Sequence, residues 1–273
     1  MTSCTKAIIP VAGYGTRRLP ITKSIEKCML PLGNRPVIDY IVADCVKAGI
    51  TDIYFVVSGE ASQLRSFYSR NVELEEMLRG KGKSDLIESI TPPTGVTLHF
   101  IEQDLNDGRY GTTVPVWLCR DYVSDDELVL VVMGDDVTYA RDGKSDIERL
   151  VETGEPAILG VPVPEGDISR YGVIAHDEQL YFSHIAEKPA PGEEPSRMIS
   201  VSKYVLPGSF MKYADESMRA GANEHGEFFI TDPINALVDA GTNLKVVEAV
   251  GTYLDTGTVE SWVKANAWLL EHA

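Results

Sequence analysis

Short apolar runs alternate along this chain with segments whose apolar residues recur at helical spacing. The runs at 6–12 (KAIIPVA), 52–58 (DIYFVVS), 96–102, 127–133 (ELVLVVM) and 157–163 read as strands. An uninterrupted apolar run implies that both faces of the strand are covered, as in a parallel sheet. Helical spacing marks 36–48, with Pro36 near its start and Gly49 at its end, and again 60–79, 113–122 and 144–153. Residues 81–84 and 91–95 read as loops.

The texture changes at Gly172. Residues 172–176 and 179–182 flank a short turn and read as a hairpin. Strands are expected at 199–206 and 244–250, and helices at 208–220, about 231–240 and 259–270. Alternating strands and helices predict an α/β fold with a mixed, mostly parallel central sheet, helices on both faces and a small β-hairpin region. The proline-rich stretch 189–196 (PAPGEEPS) has the length of a loop, not of a linker. With no internal repeat, one domain over 1–273 is the expectation.

Composition narrows the function classes. The net charge is −16, from 41 acidic and 25 basic residues. The basic footprint of a nucleic-acid binder is absent, as is a polybasic membrane patch. A small anionic substrate stays compatible, because local cations and a metal override a distant field. Cys4, Cys28, Cys45 and Cys119 form no CxxC pair and suit no zinc site, so reduced, mostly buried thiols are expected. No apolar run reaches the ~18–20 residues of a membrane helix, and the first residues lack a signal-peptide pattern. A cytoplasmic protein is the expectation. The five histidines show no HExxH spacing, and no GxSxG elbow occurs. Zinc and serine hydrolases are disfavoured.

The candidate chemistry begins after the first strand, in Gly13-Tyr-Gly-Thr-Arg-Arg-Leu-Pro-Ile-Thr-Lys23. Glycines there let backbone N–H groups approach phosphate oxygens. Arg17 offers a planar, bidentate phosphate donor, and Lys23 and Lys27 add charge. Four cations between residues 17 and 27 are unexpected in so acidic a chain. A glycine turn with solvated charges would need only part of this. Arg18 stands where the third glycine of GxGxxG belongs, and no Gly-Lys-Ser/Thr ending occurs. A dinucleotide dehydrogenase and a P-loop enzyme are both disfavoured.

Asp135 and Asp136 follow the strongest strand. A strand-end aspartate suits a turn, and it equally suits a hard cation held beside phosphates. Asp255, in Tyr253-Leu-Asp-Thr-Gly-Thr-Val259, reads alone as a turn or capping residue, with Thr258 the better N-cap. Thr231 and Asp232 read equally as caps of the helix they precede. Glu187-Lys188-Pro189 alone is an ordinary solvated turn.

GYGTRRLPITK followed by EKCMLPLGNRPVIDY resembles the GxGTRxxPxTK signature of the sugar-nucleotide pyrophosphorylases, sugar-1-phosphate nucleotidyltransferases. The resemblance runs from about Lys6 to Asn266 and is closest to the bacterial UTP–glucose-1-phosphate uridylyltransferases. It implies a Rossmann-like three-layer α/β/α fold, UTP and glucose-1-phosphate as substrates, and a homodimer or homotetramer. It implies that Ala12, Gly13, Gly15, Thr16, Gln103 and Gly111 bind the nucleotide, with Gln103 reading the base. Arg17 and Lys27 would hold the triphosphate, and Lys188 the sugar phosphate. Gly172, Glu187 and, more weakly, Glu227 would meet the sugar. Asp135 and Asp255 would ligate Mg2+.

The chain departs from that pattern in places. Cys28 stands where glutamate is usual, the loop after Gln103 is about one residue longer, and Ser202-Lys203-Tyr204 replaces Gly-Arg-Tyr. The first two bear on base choice, the third on the sugar pocket or oligomer contacts. The rivals are a family member using dTTP, another nucleotide or another sugar, and a non-catalytic sugar-nucleotide sensor. A pure binder has no need of paired metal carboxylates.

Overall fold

The computed structural model describes residues 3–272 except 60, 142, 164, 167 and 225. A nine-stranded sheet organises them. One half is parallel throughout: Thr97–Glu102, Asp52–Val57, Cys4–Pro10 and Leu128–Val132 lie side by side. The long strand Met198–Pro207 then pairs antiparallel with Leu128–Val132 and with Ala157–Pro162. Lys245–Glu248 extends this half by parallel pairing with Ala157–Pro162. The hairpin Gly172–His176 and Phe182–Glu187 joins through Val173 opposite Ile199.

The apolar runs are explained by burial on two faces. Ala7 and Ile9 enter one core cluster and Ile8 the other. Leu128, Leu130 and Val132 likewise face the first cluster, and Val129 and Val131 the second. Side chains alternate across a strand, so a central strand covered on both sides must be apolar at every position. Helices Val37–Lys47, Asp146–Glu152 and Val259–His272 contribute to the first cluster. Helices Thr113–Leu118, Phe210–Ala220 and Thr231–Asp239 contribute to the second. The three-layer expectation is met. All four cysteines are buried and free, and burial pushes the Cys28 thiol up to about 12. Among the described residues no helix is long and apolar enough to cross a membrane.

Several boundaries differ from the sequence pattern. The helical stretch expected at 60–79 is two helices, Ser62–Phe67 and Val72–Gly80, and residue 60 lies outside the described residues. Asn71 restarts the helix by accepting from Leu74 N–H at 3.0 Å, a capping geometry that ends any helix before it. The expected 113–122 helix stops at Leu118 and resumes as a 3-10 turn, Arg120–Tyr122. The second hairpin strand is Phe182–Glu187, not 179–182. Asp177 Oδ1 takes the N–H groups of Gln179 and Tyr181, at 2.9 and 2.8 Å, so those residues belong to the turn. Ser84–Leu86, expected as loop at its start, forms a 3-10 turn.

Some pairings have no counterpart in the apolar pattern, among them Pro31–Leu32 with Arg35–Pro36. Asp136–Tyr139 and Thr252–Asp255 form a separate two-stranded antiparallel sheet. Its register sets Asp136 opposite Asp255.

Candidate active site

The carboxyl ends of the parallel strands open into a cleft of about 460 Å³, the place where open α/β sheets bind ligands. Ala12, Gly13, Arg17 and Lys27 line it from the glycine loop. That loop coils through three 3-10 turns, Thr16–Arg18, Ile21–Lys23 and Lys27–Met29, which return Lys27 to the cleft. Gly15 sits at φ +64°, and a Cβ there would stand 3.1 Å from Thr22 Cγ2 and 3.2 Å from Lys27 Cβ. Thr22 Oγ1 donates to Gly15 O at 2.9 Å. Gly15 and the exposed Thr16 do not line the cleft; they shape the loop that presents Arg17 and Lys27. Among the described residues Arg17 has no carboxylate partner.

The two candidate metal carboxylates line the same cleft. Asp135 Oδ2 lies 2.5 Å from Lys27 Nζ and 3.2 Å from Arg18 Nη2. Burial pushes the Asp135 carboxyl up, but Lys27 and Arg18 outweigh it and hold the group down at about 2. Burial and then the Asp135 charge raise its neighbour Asp136 to about 6. Tyr253 Oη donates to Asp136 Oδ1 at 2.7 Å. Asp255 arrives on the opposing strand, with its Oδ1 accepting from Gly257 N–H at 2.7 Å. The cap expected just after it is present: Thr258 Oγ1 accepts from Ser261 N–H at 3.1 Å.

Two hard carboxylates facing a cationic loop suit an oxygen-seeking divalent cation. No group of three or more potential metal-ligating side chains exists among the described residues. Substrate oxygens and water would complete the shell, as Mg2+ prefers.

Gln103, at the end of the Thr97–Glu102 strand, is 5% exposed and lines the cleft. Gly111 lines it too, and its reason for being glycine is close approach. A Cβ there would fall 2.4 Å from both the N and the O of Phe228. This contact lets Tyr110 pair with Glu227, and Thr113 N–H donate to Phe228 O at 2.9 Å. The segment that bears Gly111 and the one that bears Glu227 are thereby joined. Glu227 and Glu187 both line the cleft. Burial raises the Glu187 carboxyl; Lys188 opposes this, while Asp232 and Glu227 reinforce it. Gly172 leaves room for Glu187, whose Oε2 would lie 3.1 Å from an added Cβ.

Lys188 follows Glu187 at φ +46° and is outside the residues that line the cleft. Its Nζ is 3.8 Å from Glu187 Oε1, and its side chain is 61% exposed. Capping by Thr231 or Asp232 is not seen: the Thr231–Asp239 helix has Ile230 at its N-cap and no side-chain cap. Thr112 Oγ1 reaches across instead and accepts from Ile230 N–H at 2.9 Å. The Ser202–Tyr204 departure lies on the Met198–Pro207 strand, where Ser202 takes φ +50° at a register shift. Lys203 lies buried beneath the carboxylates and donates to Asp136 O at 2.7 Å.

Sequence reasoning missed how far Arg18 is committed. It is 1% exposed and also reaches Thr256 Oγ1 at 3.3 Å, while Thr256 Oγ1 donates to Asp135 O at 2.8 Å. Its doubling with Arg17 was the available signal: two adjacent arginines on one turn cannot face the same way. Arg170, Tyr171 and Tyr253 also line the cleft and carried no signal of their own.

The family profile described as nucleotidyl transferase matches residues 6–272. The protein named UTP–glucose-1-phosphate uridylyltransferase in Bacillus subtilis (strain 168) is 34% identical over 245 residues, 87% of this chain and 81% of that protein. The protein of the same name in Escherichia coli (strain K12) is 36% identical over 258 residues, 88% of this chain and 82% of that protein. A UTP-bound UGPase from Acinetobacter baumannii superposes with a TM-score of 0.87 at 29% identity, covering 98% of this chain and 94% of that one. A loop, a sheet and a pair of facing carboxylates that the profile spans almost end to end leave one assignment: this chain belongs to the nucleotidyl transferase family.

Proposed function

We propose that this protein transfers a uridylyl group from UTP to glucose-1-phosphate, giving UDP-glucose and pyrophosphate with the help of Mg2+. The observation that carries the reading is the convergence of Arg17, Lys27, Asp135 and Asp255 on one cleft with Gln103 and Glu187 in its walls. The names of the relatives above 30% identity support the choice of substrates.

The chemistry asks little of acid–base groups. A phosphate oxygen of glucose-1-phosphate, already ionised at neutral pH, forms a bond to the α-phosphorus. The bond from that phosphorus to the pyrophosphate oxygen breaks. Both reactants are anionic, so positioning and charge neutralisation are the main tasks. Arg17 and Lys27 hold the triphosphate, and Lys188 turns in to hold the sugar phosphate. Gln103 offers one donor and one acceptor to a pyrimidine edge. Glu187 and Glu227 accept from sugar hydroxyls. Asp135 and Asp255 would hold the Mg2+, which when bound would supply charge stabilisation at the phosphates.

The test is pyrophosphate release by purified protein with glucose-1-phosphate and Mg2+, with UTP, dTTP, ATP, GTP and CTP compared. Release with UTP, and its loss on chelation, is expected. Stronger release with another nucleotide would overturn the uridylyl assignment, and none with any would overturn the transferase.

A further inference from the structure

Both candidate metal carboxylates already carry a cation. At Asp135 this is Lys27, 2.5 Å away, with the buried Arg18 behind it. At Asp255 it is Arg170, whose Nη2 lies 3.5 Å from Oδ2. The two cations differ in how firmly they are held. Arg18 is enclosed and cannot leave. The Arg170 side chain is 62% exposed and reaches Asp255 through one nitrogen at long range. Its other anchor is Tyr171: Nη2 donates to Tyr171 Oη at 2.6 Å, and the guanidinium lies 4.8 Å from the ring centroid. Tyr171 Oη in turn lies 3.4 Å from Asp255 Oδ2. An exposed pair of this kind is easily exchanged.

Arg170 also stands close to the phosphate machinery. A Cβ on Gly257 would lie 3.0 Å from Asp255 Oδ1 and 3.7 Å from Arg17 Nη1. Gly257 thus separates Arg17 from the carboxylate that Arg170 meets, and both arginines line the cleft. A divalent cation on Asp255 would repel Arg170 from that carboxylate and leave it, like Arg17, in the cleft without a counter-ion. Only an incoming polyanion balances them, and guanidinium groups are suited to phosphate oxygens.

We propose that Arg170 is a phosphate-binding residue of this transferase, resting on Asp255 and passing to the nucleotide phosphates when a divalent cation takes that carboxylate. The inference rests on the function proposed above and adds a residue to it. It makes metal and nucleotide binding favour each other through one side chain, a coupling that must be reciprocal.

The test uses Mn2+ as the metal probe and UTP as the phosphate probe, on wild type and Arg170→Gln. In calorimetric titrations without nucleotide, Arg170→Gln is expected to bind Mn2+ two- to fivefold more tightly, because the competing cation is gone. With saturating Mn2+ it is expected to bind UTP about tenfold more weakly, the loss of one charge-assisted phosphate contact. Arg170→Lys should recover part of the UTP affinity. A merely structural role would weaken both ligands together, and that result would overturn the proposal. So would unchanged affinity for either ligand, or no Mn2+ binding by either protein. A wild type that shows these opposed shifts yet releases no pyrophosphate would refute the transferase and leave the Arg170 exchange standing.

Discussion

Arg18 ties the glycine loop to the far end of the chain. Its Nη2 meets Asp135 and Thr256, while Nε and Nη1 find no acceptor among the described residues. Asp135 is therefore both a candidate metal ligand and the counter-ion of a buried cation. Replacing it with alanine would strand that charge, which costs about 3–5 kcal/mol when a buried pair loses one partner. Asp135→Ala is expected to lower the melting temperature as well as turnover by at least about 100-fold. Asp135→Asn keeps the shape and an acceptor for Arg18, so it should lose similar turnover with less loss of stability. Melting curves beside pyrophosphate-release rates check this; equal melting of the two variants would refute the dual role. At this scale the sequence displayed most of the residues that the fold brings to the cleft. It did not display that adjacent Arg17 and Arg18 part ways, one to the cleft and one beneath it, because only packing decides that.

Elements carry the site through their registers. The contact of Gly111 with Phe228 locks the wall proposed to meet the base to the segment that bears Glu227. Gly111→Ala would push Phe228 backbone atoms apart and should cost about 1–3 kcal/mol of stability. It should also raise KM for nucleotide and sugar phosphate together, since one segment borders each. A rise confined to one substrate would show that the two sides are independent. On the Val37–Lys47 helix, burial raises the Asp44 carboxyl to about 6, against the opposing pull of Lys47 and Lys203. A folded pKa above the unfolded one penalises the charged form, so the cost is absent below about pH 4 and complete above about pH 6. Asp44→Asn should therefore be more stable than wild type at pH 7–8, by about 1–2 kcal/mol, with the gap closing by pH 4. Melting across that range tests the sign.

Elements were also where the sequence was most and least readable. The 127–133 run announced its strand because both faces of Leu128–Val132 are buried. The hairpin strand Phe182–Glu187 was misplaced because its burial is uneven and Asp177 draws the preceding amides into a turn. The Asp136–Tyr139 and Thr252–Asp255 pair was invisible. Four-residue strands from distant parts of a chain leave no periodicity to read, and only their meeting gives them meaning.

Across the whole molecule, the acidic surface and the cationic loop do different work. A chain of net charge −16 presents Arg17 and Lys27 to the cleft from one short loop, and Arg170 from a distant one. That contrast is readable from the sequence, whereas the class of ligand comes from the resemblance that the glycine loop carries. What composition left out was how distant segments converge, for the cleft draws on residues from Pro10 to Thr258.

The small sheet that pairs Asp136 with Asp255 has a consequence in time. During synthesis, a chain that has emerged as far as Glu248 already possesses every strand of its large sheet and the entire glycine loop. It still lacks the second carboxylate, which follows only with the next strand. With Asp255 as the proposed second metal ligand, catalytic competence comes only after the large sheet is complete. A nascent chain on the ribosome can stand close to its final shape while remaining unable to consume a nucleotide.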